Sequence, residues 1–336
     1  MDLLNALVAF LNFVFIPATS YGAQLALGAL GVTLIYGILR FSNFAHGDTM
    51  AMGTMTVILC TWGLQAAGVS FGPLPTALLA LPVGIAVTAL FVLGTDRVVY
   101  RFYRKQKAAP AILVIVSLGV MLIMNGVVRF VIGVDDRDFA DGARFVISAG
   151  DFKAATGLAE GLAIRTSQVV TLGTAVVTVA FLFWFLNRTR TGKSMRAFSD
   201  NEDLALLSGI SPERVVAVTW ILCAALATIA GTLYGLDKTF KPFTYFQLLL
   251  PIFAAAIVGG LGSPLGAIAG GFLIAFSEVM VTYAWKKVLG YLAPEGWAPE
   301  GLVQLMSTDY KFAVSFTILI IVLLFLPTGI FKGKST

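Results

Sequence analysis

A short polar run interrupts the apolar sequence at residues 40–48, and it contains Asn43, His46 and Asp48. Ser42 or Asn43 can cap a new helix, which would leave Asp48 in the first turns, where the helix dipole favours a carboxylate. An aspartate at the centre of a membrane helix instead costs roughly 2.5–3.5 kcal/mol and usually faces a bundle interior or an aqueous path. The depth of Asp48 decides between these alternatives, and we favour capping and locking over direct contact with a solute.

Helical spacing separates the polar side chains of this run. Asn43 and His46 are three residues apart and share a helical face with Met50, whereas Asp48 points elsewhere. His46 is the only histidine of the chain. We therefore expect the imidazole and the carboxylate to point in different directions.

A second interruption contains Gly259, Gly260 and Gly262, followed by Pro264. Closely spaced glycines and a proline end a helix, so the chain is predicted to break and turn here. At membrane depth a helix can break only where protein or a water-filled cavity covers the backbone. If the break lies at membrane depth, we therefore expect protein or a water-filled cavity to cover its backbone.

Gly262, Gly266 and Gly270 recur every fourth residue and would share one helical face. Small residues at this spacing allow helix backbones to touch. We interpret this face as a packing surface rather than as a stripe that contacts a solute.

The sequence Thr191-Gly-Lys-Ser194 resembles the end of a phosphate-binding loop. The first glycine that such a loop requires is replaced by Asn187, and an apolar span precedes the motif instead of a buried strand. If ATP is used, another chain must therefore bind it.

A short helix is predicted after this motif. Asp200 with Asp203 can cap a helix over residues 201–207, which Gly209 would close. Pro212 suits the first position of the helix that follows. A short helix joined rigidly to a span could transmit movement from a partner, although the spacing fits an ordinary connecting loop equally well.

The elements that must position all these residues are membrane spans. Of the 336 residues, 58% are hydrophobic and only 12% are charged, which excludes an ordinary water-soluble globular protein. A helix needs about 20 apolar residues to cross a bilayer. Nine stretches are candidates: 21–39, 45–65, 73–93, 110–134, 168–186, 215–236, 243–261, 264–285 and 312–326. The predicted fold is an all-α, polytopic helix bundle forming a single domain over residues 1–336.

Residues 3–16 form a shorter apolar stretch that ends at Pro17. They lack a basic leader and a small-residue cleavage site, which disfavours a removed signal peptide. The stretch could be an interfacial helix or a short tenth span, and a tenth span would put both chain ends in the cytoplasm.

Charge predicts the orientation of the spans. Residues 97–107 carry only basic charges and residues 188–196 are again basic, which marks both connections as cytoplasmic. Acidic residues outnumber basic ones in 135–165, as expected for the outer side. Counting spans puts 286–311 outside and the C-terminus inside, although Lys286 and Lys287 do not fit the outer side well.

The two cysteines and the net positive charge do not indicate a further functional site. Cys60 and Cys223 both lie inside predicted spans without metal-ligand spacing, so neither a disulfide nor a metal site is expected. The net charge of +5 comes from basic residues at helix ends. Topology explains this charge, and no nucleic-acid partner is predicted.

Three sequence blocks together form a recognisable pattern. The first runs from Gly31 to Gly53 and includes Asn43-Phe-Ala-His-Gly-Asp48. The second covers 192–235 and the third 256–278; they contain Met195-Arg-Ala197, Asp200-Asn201, Leu204-Ala205, Gly209-Ile210, Ala230-Gly231 and Val258-Gly-Gly-Leu-Gly-Ser263. On these blocks the protein resembles, over most of its length, the LivH-type permease subunit of branched-chain amino acid ABC importers, a family of bacterial inner-membrane translocators.

The resemblance implies two inverted structural halves with broken helices, and no catalytic residues. It implies a second permease subunit as heterodimer partner, two cytoplasmic ATPases that bind ATP and Mg, and a periplasmic substrate-binding protein, with no cofactor in this chain. The residues that would border or gate the translocation path are Asn43, His46, Asp48, Gly259, Gly260 and Gly262. Those that would couple to an ATPase lie in the cytoplasmic segment 192–212 and are Arg196, Asp200, Asn201, Ala205 and Gly209.

Two rival functions remain open. A permease for urea or short amides shares the block around Asn43, so this block indicates the class of transporter and not the substrate. An ion-coupled secondary carrier would also contain broken helices, but it usually needs intramembrane acids. Only Asp48 and Glu278 come near that role.

Overall fold

The computed structural model describes residues 2–139, 142–292, 301 and 303–331, and almost all of its regular structure is helical. The α-helices are α1 (Asp2–Phe10), α2 (Ile16–Leu39), α3 (His46–Ala66), α4 (Ala77–Thr95), α5 (Arg101–Lys105), α6 (Pro110–Ile132), α7 (Ala149–Thr156), α8 (Thr166–Arg188), α9 (Arg190–Asp200), α10 (Glu202–Leu207), α11 (Pro212–Asp237), α12 (Pro242–Gly259), α13 (Pro264–Thr282), α14 (Lys286–Leu292) and α15 (Lys311–Phe325). The other elements are two π-helical turns (Leu11–Phe15, Asp96–Tyr100), a 3-10 turn (Thr308–Tyr310) and the antiparallel strands β1 (Phe145–Ile147) and β2 (Ile164–Arg165). The predicted all-α polytopic fold is confirmed.

Eight helical segments within the described residues are long and apolar enough to cross a membrane, and each overlaps one predicted span. The predicted span without such a counterpart is 45–65, which contains α3. This helix has 21 residues, but it carries His46, Asp48 and several threonines. Most residues in the first three turns of α3 are buried, so these polar side chains face protein rather than lipid.

Residues 3–16 do not form a separate span, so the alternative with ten spans is wrong. One continuous helical segment of 38 residues runs from Asp2 to Leu39. Its π-helical turn ends two residues before Pro17, which has no N–H to donate to the preceding turn. A π-helical turn shifts the local hydrogen bonds by one residue, which lets the helix continue through the proline.

The N-terminal part of this helix is tied to the 135–165 connection. The side-chain oxygen of Asn5 accepts a hydrogen bond from the Glu160 backbone N–H (3.2 Å), and that of Asn12 accepts one from the Ala163 N–H (3.0 Å). The N-terminal turns therefore lie at the end of the bundle that carries residues 135–165.

Lys287, whose charge did not fit the predicted orientation, pairs with Glu160 at the same end. Its Nζ lies 2.7 Å from Glu160 Oε2, and the Tyr291 hydroxyl donates to Glu160 Oε1 at 2.7 Å. Burial alone would raise the pKa of Glu160, but these two hydrogen bonds outweigh it and hold the pKa below its ordinary value. The lysine charge is therefore neutralised locally.

Parts of the predicted outer connections and of the C-terminal tail lie outside the described residues. These are residues 140, 141, 293–300, 302 and 332–336.

α2 is the centre of the bundle. Nearly all of its side chains are buried, and it packs against α8, α11, α12 and α13. A Cβ at Gly22 would lie 2.6 Å from Phe272 Cδ1, and one at Gly28 would lie 2.8 Å from Ile252 Cδ1. At Gly22 the Cβ would also lie 3.2 Å from the Phe272 Cα, so glycine lets α2 and α13 approach closely. Close packing is important here because lipid supplies no hydrophobic drive between helices.

α12 and α13 form a hairpin whose backbones touch. A Cβ at Gly266 would lie 2.2 Å from the Gly259 carbonyl oxygen, and one at Gly270 would lie 2.1 Å from the Ala255 carbonyl oxygen. The predicted packing role of Gly266 and Gly270 is confirmed. Gly262 lies in the turn before α13, with φ of +85°, so it does not belong to the helical face predicted for it.

We predict that Gly266→Ala destabilises the protein by about 1–3 kcal/mol, because the new methyl group forces the two backbones apart. Thermal unfolding of the purified protein in detergent measures the effect. Gly173→Ala in α8 is the matched control, since a Cβ there meets no atom within 4 Å. Equal unfolding temperatures for the two variants would contradict the close contact of α12 and α13.

Candidate functional site

The connection between α2 and α3 is buried inside the bundle. Phe41, Asn43 and His46 are 2%, 3% and 1% exposed. Asn43 Oδ1 accepts a hydrogen bond from the Ala45 N–H (3.1 Å), and its carbonyl oxygen accepts one from the His46 N–H (3.3 Å). Asn43 therefore closes the turn before α3, although the N-cap residue itself is Ala45 rather than the predicted Ser42 or Asn43.

His46 lies against α2. A Cβ at Gly31 would lie 2.5 Å from His46 Cε1, so the imidazole occupies the space that the glycine leaves. The same Gly31 carbonyl accepts a hydrogen bond from Cys223 Sγ of α11 at 3.2 Å. Within the described residues His46 Nε2 has no hydrogen-bond partner. His46 also interacts with the Gly28 backbone of α2, so this helix holds the imidazole in place.

Asp48 faces the opposite way, towards α6. The Asn125 side-chain amide donates to Asp48 Oδ1 at 2.8 Å, and Arg129 contributes a positive charge nearby. Asp48 is 1% exposed, and its Oδ2 has no partner among the described residues. The expected divergence of His46 and Asp48 is confirmed, and the burial of Asp48 favours a lock between α3 and α6 over a simple cap.

The glycine break after α12 is joined by the C-terminal part of the chain. Val258 and Gly259 carbonyl oxygens accept hydrogen bonds from the backbone N–H groups of Ile330 (2.9 Å) and Phe331 (3.1 Å). A Cβ at Gly329 would lie 2.5 Å from Gly260 Cα. Sequence analysis did not single out Gly329. The one feature that could have indicated it is its position shortly after the last apolar stretch, 312–326.

The two groups of predicted path residues do not form one site. Gly47 touches Tyr245 and Leu249 of α12, whereas the break begins at Gly259 of the same helix. Leu249 and Gly259 are ten residues apart, which is about 15 Å along a helix axis. The polar turn and the glycine break therefore contact different levels of α12.

The predicted coupling segment consists of two short helices, α9 and α10. Sequence analysis did not predict α9, and Asp200 is its last residue rather than the cap of the next helix. The cap of α10 is Asn201, whose Oδ1 accepts from the Leu204 N–H at 3.0 Å. Ala205 is buried, and Gly209 follows α10 with φ of +80°, as expected for a glycine that ends a helix.

α9 is fastened to the end of α2. Arg40 Nη2 donates to the Ser199 carbonyl oxygen at 2.6 Å, and the Ser199 hydroxyl donates to the Gly37 carbonyl oxygen at 2.9 Å. Arg196 of α9 donates to Asn187 Oδ1 at 3.0 Å. Arg101 pairs with Glu213 at the start of α11, so the two basic connections lie at the same end of the bundle.

A cluster that sequence reasoning missed connects α11 with the turn before α3. The Trp220 Nε1–H donates to Asp96 Oδ1 at 2.7 Å, and Arg104 pairs with the same carboxylate. Tyr100 stacks on Trp220 with ring centroids 5.2 Å apart, and its hydroxyl donates to Asn43 Oδ1 at 3.3 Å. The one sequence feature that could have indicated this cluster is Asp96, which directly precedes the basic segment 97–107.

Glu278 of α13 is an acid that is buried as fully as Asp48. It is 1% exposed, and the Ser315 hydroxyl of α15 donates to its Oε1. Lys311 and Tyr21 interact with it electrostatically. This carboxylate therefore holds α13 to α15 and α2. Among the described residues, no three His, Cys, Asp or Glu side chains come together as a metal site would require.

Comparison with known proteins identifies the family of this chain. Residues 15–323 match the family described as branched-chain amino acid transport system / permease component. The high-affinity branched-chain amino acid transport system permease protein LivH of Escherichia coli strain K12 is 31% identical over 316 residues, covering 92% of this chain and 91% of that protein. BraD of Pseudomonas aeruginosa is 29% identical over 311 residues, with 92% of each chain covered. A probable LivH of Methanocaldococcus jannaschii is 32% identical over 314 residues, with 93% and 90% covered. This multi-pass membrane protein belongs to the family of branched-chain amino acid transport permease components.

Proposed function

We propose that this chain is the membrane-spanning permease subunit of an ATP-driven importer that moves branched-chain or other aliphatic amino acids into the cytoplasm. The match to the permease family over residues 15–323 is the observation that carries the proposal. The names of LivH and BraD support the substrate class. The glycine-rich and charge-poor interior suits a passage without a tight site, because a separate binding protein would supply the affinity.

The proposed assembly contains a second permease subunit, two cytoplasmic ATPases that bind ATP and Mg, and a periplasmic binding protein. The chain would lie in a bacterial inner membrane, with the C-terminus, α9 and α10 in the cytoplasm and the 135–165 and 286–311 connections in the periplasm. The basic residues at the end of the bundle that carries α9 support this orientation.

Coupling would begin at α9 and α10, which we propose dock on an ATPase. α9 is hydrogen-bonded to α2 through Ser199, and the chain continues from α10 directly into α11 at Pro212. Displacement of this segment would therefore move the ends of α2 and α11 together. Trp220 and Tyr100 would transmit the movement of α11 to Asn43 and the turn that holds His46.

Reconstitution into vesicles tests the proposal. The chain with its partner permease, ATPases and binding protein should accumulate leucine only when ATP is supplied. Uptake by this chain alone under an ion gradient would contradict the proposal and favour an ion-coupled carrier. A cognate binding protein that binds urea instead of leucine would favour a short-amide importer of the same class.

We predict that Gly209→Val uncouples ATP hydrolysis from transport, because a β-branched residue is strongly disfavoured at φ of +80°. Co-purification of the ATPases and the amount of leucine moved per ATP hydrolysed should both fall. Gly209→Asn is the matched control, since asparagine tolerates left-handed backbone and no atom lies within 4 Å of the new Cβ. Normal coupling in Gly209→Val would remove the proposed role of α10.

We predict that Trp220→Phe lowers the amount of leucine transported per ATP hydrolysed, because the link from α11 to Asp96 loses its hydrogen bond. The free energy of unfolding should fall by about 1–3 kcal/mol, since the charged acceptor loses one donor. Trp184→Phe is the control, because Trp184 is 55% exposed. A variant with lower stability but unchanged transport per ATP would show that Trp220 only stabilises the fold.

A further inference from the structure

One face of α8 points away from the bundle. Val177, Phe181 and Trp184 are 68%, 54% and 55% exposed, and their spacing places them on a single helical face. The opposite face, which includes Ala175 and Leu182, is buried. An apolar face that is exposed on a membrane span contacts lipid tails, which are as apolar as leucine.

The lipid-facing side of α8 ends in a cation. Arg188 is the last residue of the helix, is exposed and follows Trp184 by four residues, so it continues the same face. The 23 residues of α8 span about 34 Å, which slightly exceeds the hydrocarbon layer of roughly 30 Å. Tryptophan is enriched where lipid tails meet headgroups. Arg188, one turn farther along, is therefore placed at the level of the lipid phosphates.

A tight corner joins α8 to α9. The Thr189 hydroxyl accepts a hydrogen bond from the Gly192 N–H at 3.0 Å and donates one to the Phe185 carbonyl oxygen at 2.7 Å. A Cβ at Gly192 would collide with the same carbonyl oxygen. The first turn of α9 is therefore held directly beside the last turn of α8.

This first turn carries two further cations, Arg190 and Lys193. They are three residues apart, share a helical face and are both exposed. Neither they nor Arg188 forms an ion pair with any residue that the structure describes. The sequence contains no acidic residue from 161 to 199. The three positive charges are thus available to an anion from outside the chain.

We propose that Arg188, Arg190 and Lys193 bind the phosphate headgroup of an anionic phospholipid in the leaflet at the α9 end of the bundle. The acyl chains would lie along Val177 and Phe181. Charge complementarity supports this partner, since basic residues directly beyond a membrane helix attract anionic lipids by about fivefold in affinity for each charge. Free phosphate could use the cations but not the apolar face of α8.

This inference goes beyond the proposed function, because it requires neither a transported solute nor an ATPase. The residues proposed to contact an ATPase begin at Arg196, about one turn farther along α9. A bound lipid would therefore lie where α9 leaves the membrane surface, and its binding can be measured on this chain alone.

Microscale thermophoresis of the purified full chain in detergent tests the inference. The chain should bind phosphatidylglycerol, which is anionic, more tightly than phosphatidylcholine, which is zwitterionic. Added salt should weaken the binding of phosphatidylglycerol and leave that of phosphatidylcholine unchanged, because ions screen exposed charges. Inorganic phosphate at millimolar concentration should not displace the lipid.

Two double variants locate the site. Arg188→Gln/Arg190→Gln should raise the dissociation constant for phosphatidylglycerol at least fivefold, since two positive charges are lost. Lys105→Gln/Lys107→Gln is the matched control, because it removes the same charge from exposed residues of the other basic connection. It should bind phosphatidylglycerol like the wild type, and both variants should unfold at the wild-type temperature because the substituted side chains are exposed.

Three results would overturn the inference. Equal affinity of the wild type for the two lipids would show that no anionic headgroup is selected. An equal loss of affinity in the two double variants would show attraction by the overall positive charge. Displacement of the lipid by inorganic phosphate would show a site for a free ion. The proposed function would stand in each case, because ATP-driven leucine uptake is measured separately.

Discussion

Backbone N–H and C=O groups that leave a helix inside hydrocarbon must be paired within the protein, because lipid offers no partners. The chain leaves its helices at the turn before α3 and at the break after α12, and both lie towards the end of the bundle that carries α9. At the first, the Asn43 side chain pairs with the Ala45 N–H, and the Ser117 hydroxyl accepts from the Phe44 N–H at 3.1 Å. At the second, residues 330 and 331 supply the missing donors. Ser117 belongs to α6, and residues 330 and 331 follow α15. These hydrogen bonds therefore determine which segments pack against the two turns.

The same requirement explains the burial of α2. A broken helix stays dry only if a neighbour covers it closely, and α2 covers the turn before α3 at Gly31. A larger residue at Gly31 would displace the His46 imidazole from its place against α2. The glycine of α2 is therefore a condition for the polar turn, whose imidazole also interacts with the Gly28 backbone of the same helix.

The sequence was sufficient for the features that depend on local periodicity. Apolar length predicted eight of the spans, and the spacing of Gly266 and Gly270 predicted a backbone contact. The surroundings of α3 were harder to predict from the sequence, because its polar residues are tolerated only when the rest of the bundle buries them. The link from Trp220 through Asp96 to Asn43 could not be predicted, since it joins residues that are distant in the chain. The π-helical turn before Pro17 also escaped, because a proline after an apolar stretch normally ends a helix.

The hydrogen bonds from Ile330 and Phe331 to the break after α12 set an order for biosynthesis. Residues 258 and 259 emerge from the ribosome well before residues 329–331 and enter the membrane with two carbonyl oxygens that still lack these donors. Until the last span has been inserted, water or the insertion machinery has to satisfy them. The two carbonyl oxygens at the end of α12 thus gain these partners only after α15 has been made, so the pairing of the break follows the synthesis of the α12–α13 hairpin by about 50 residues.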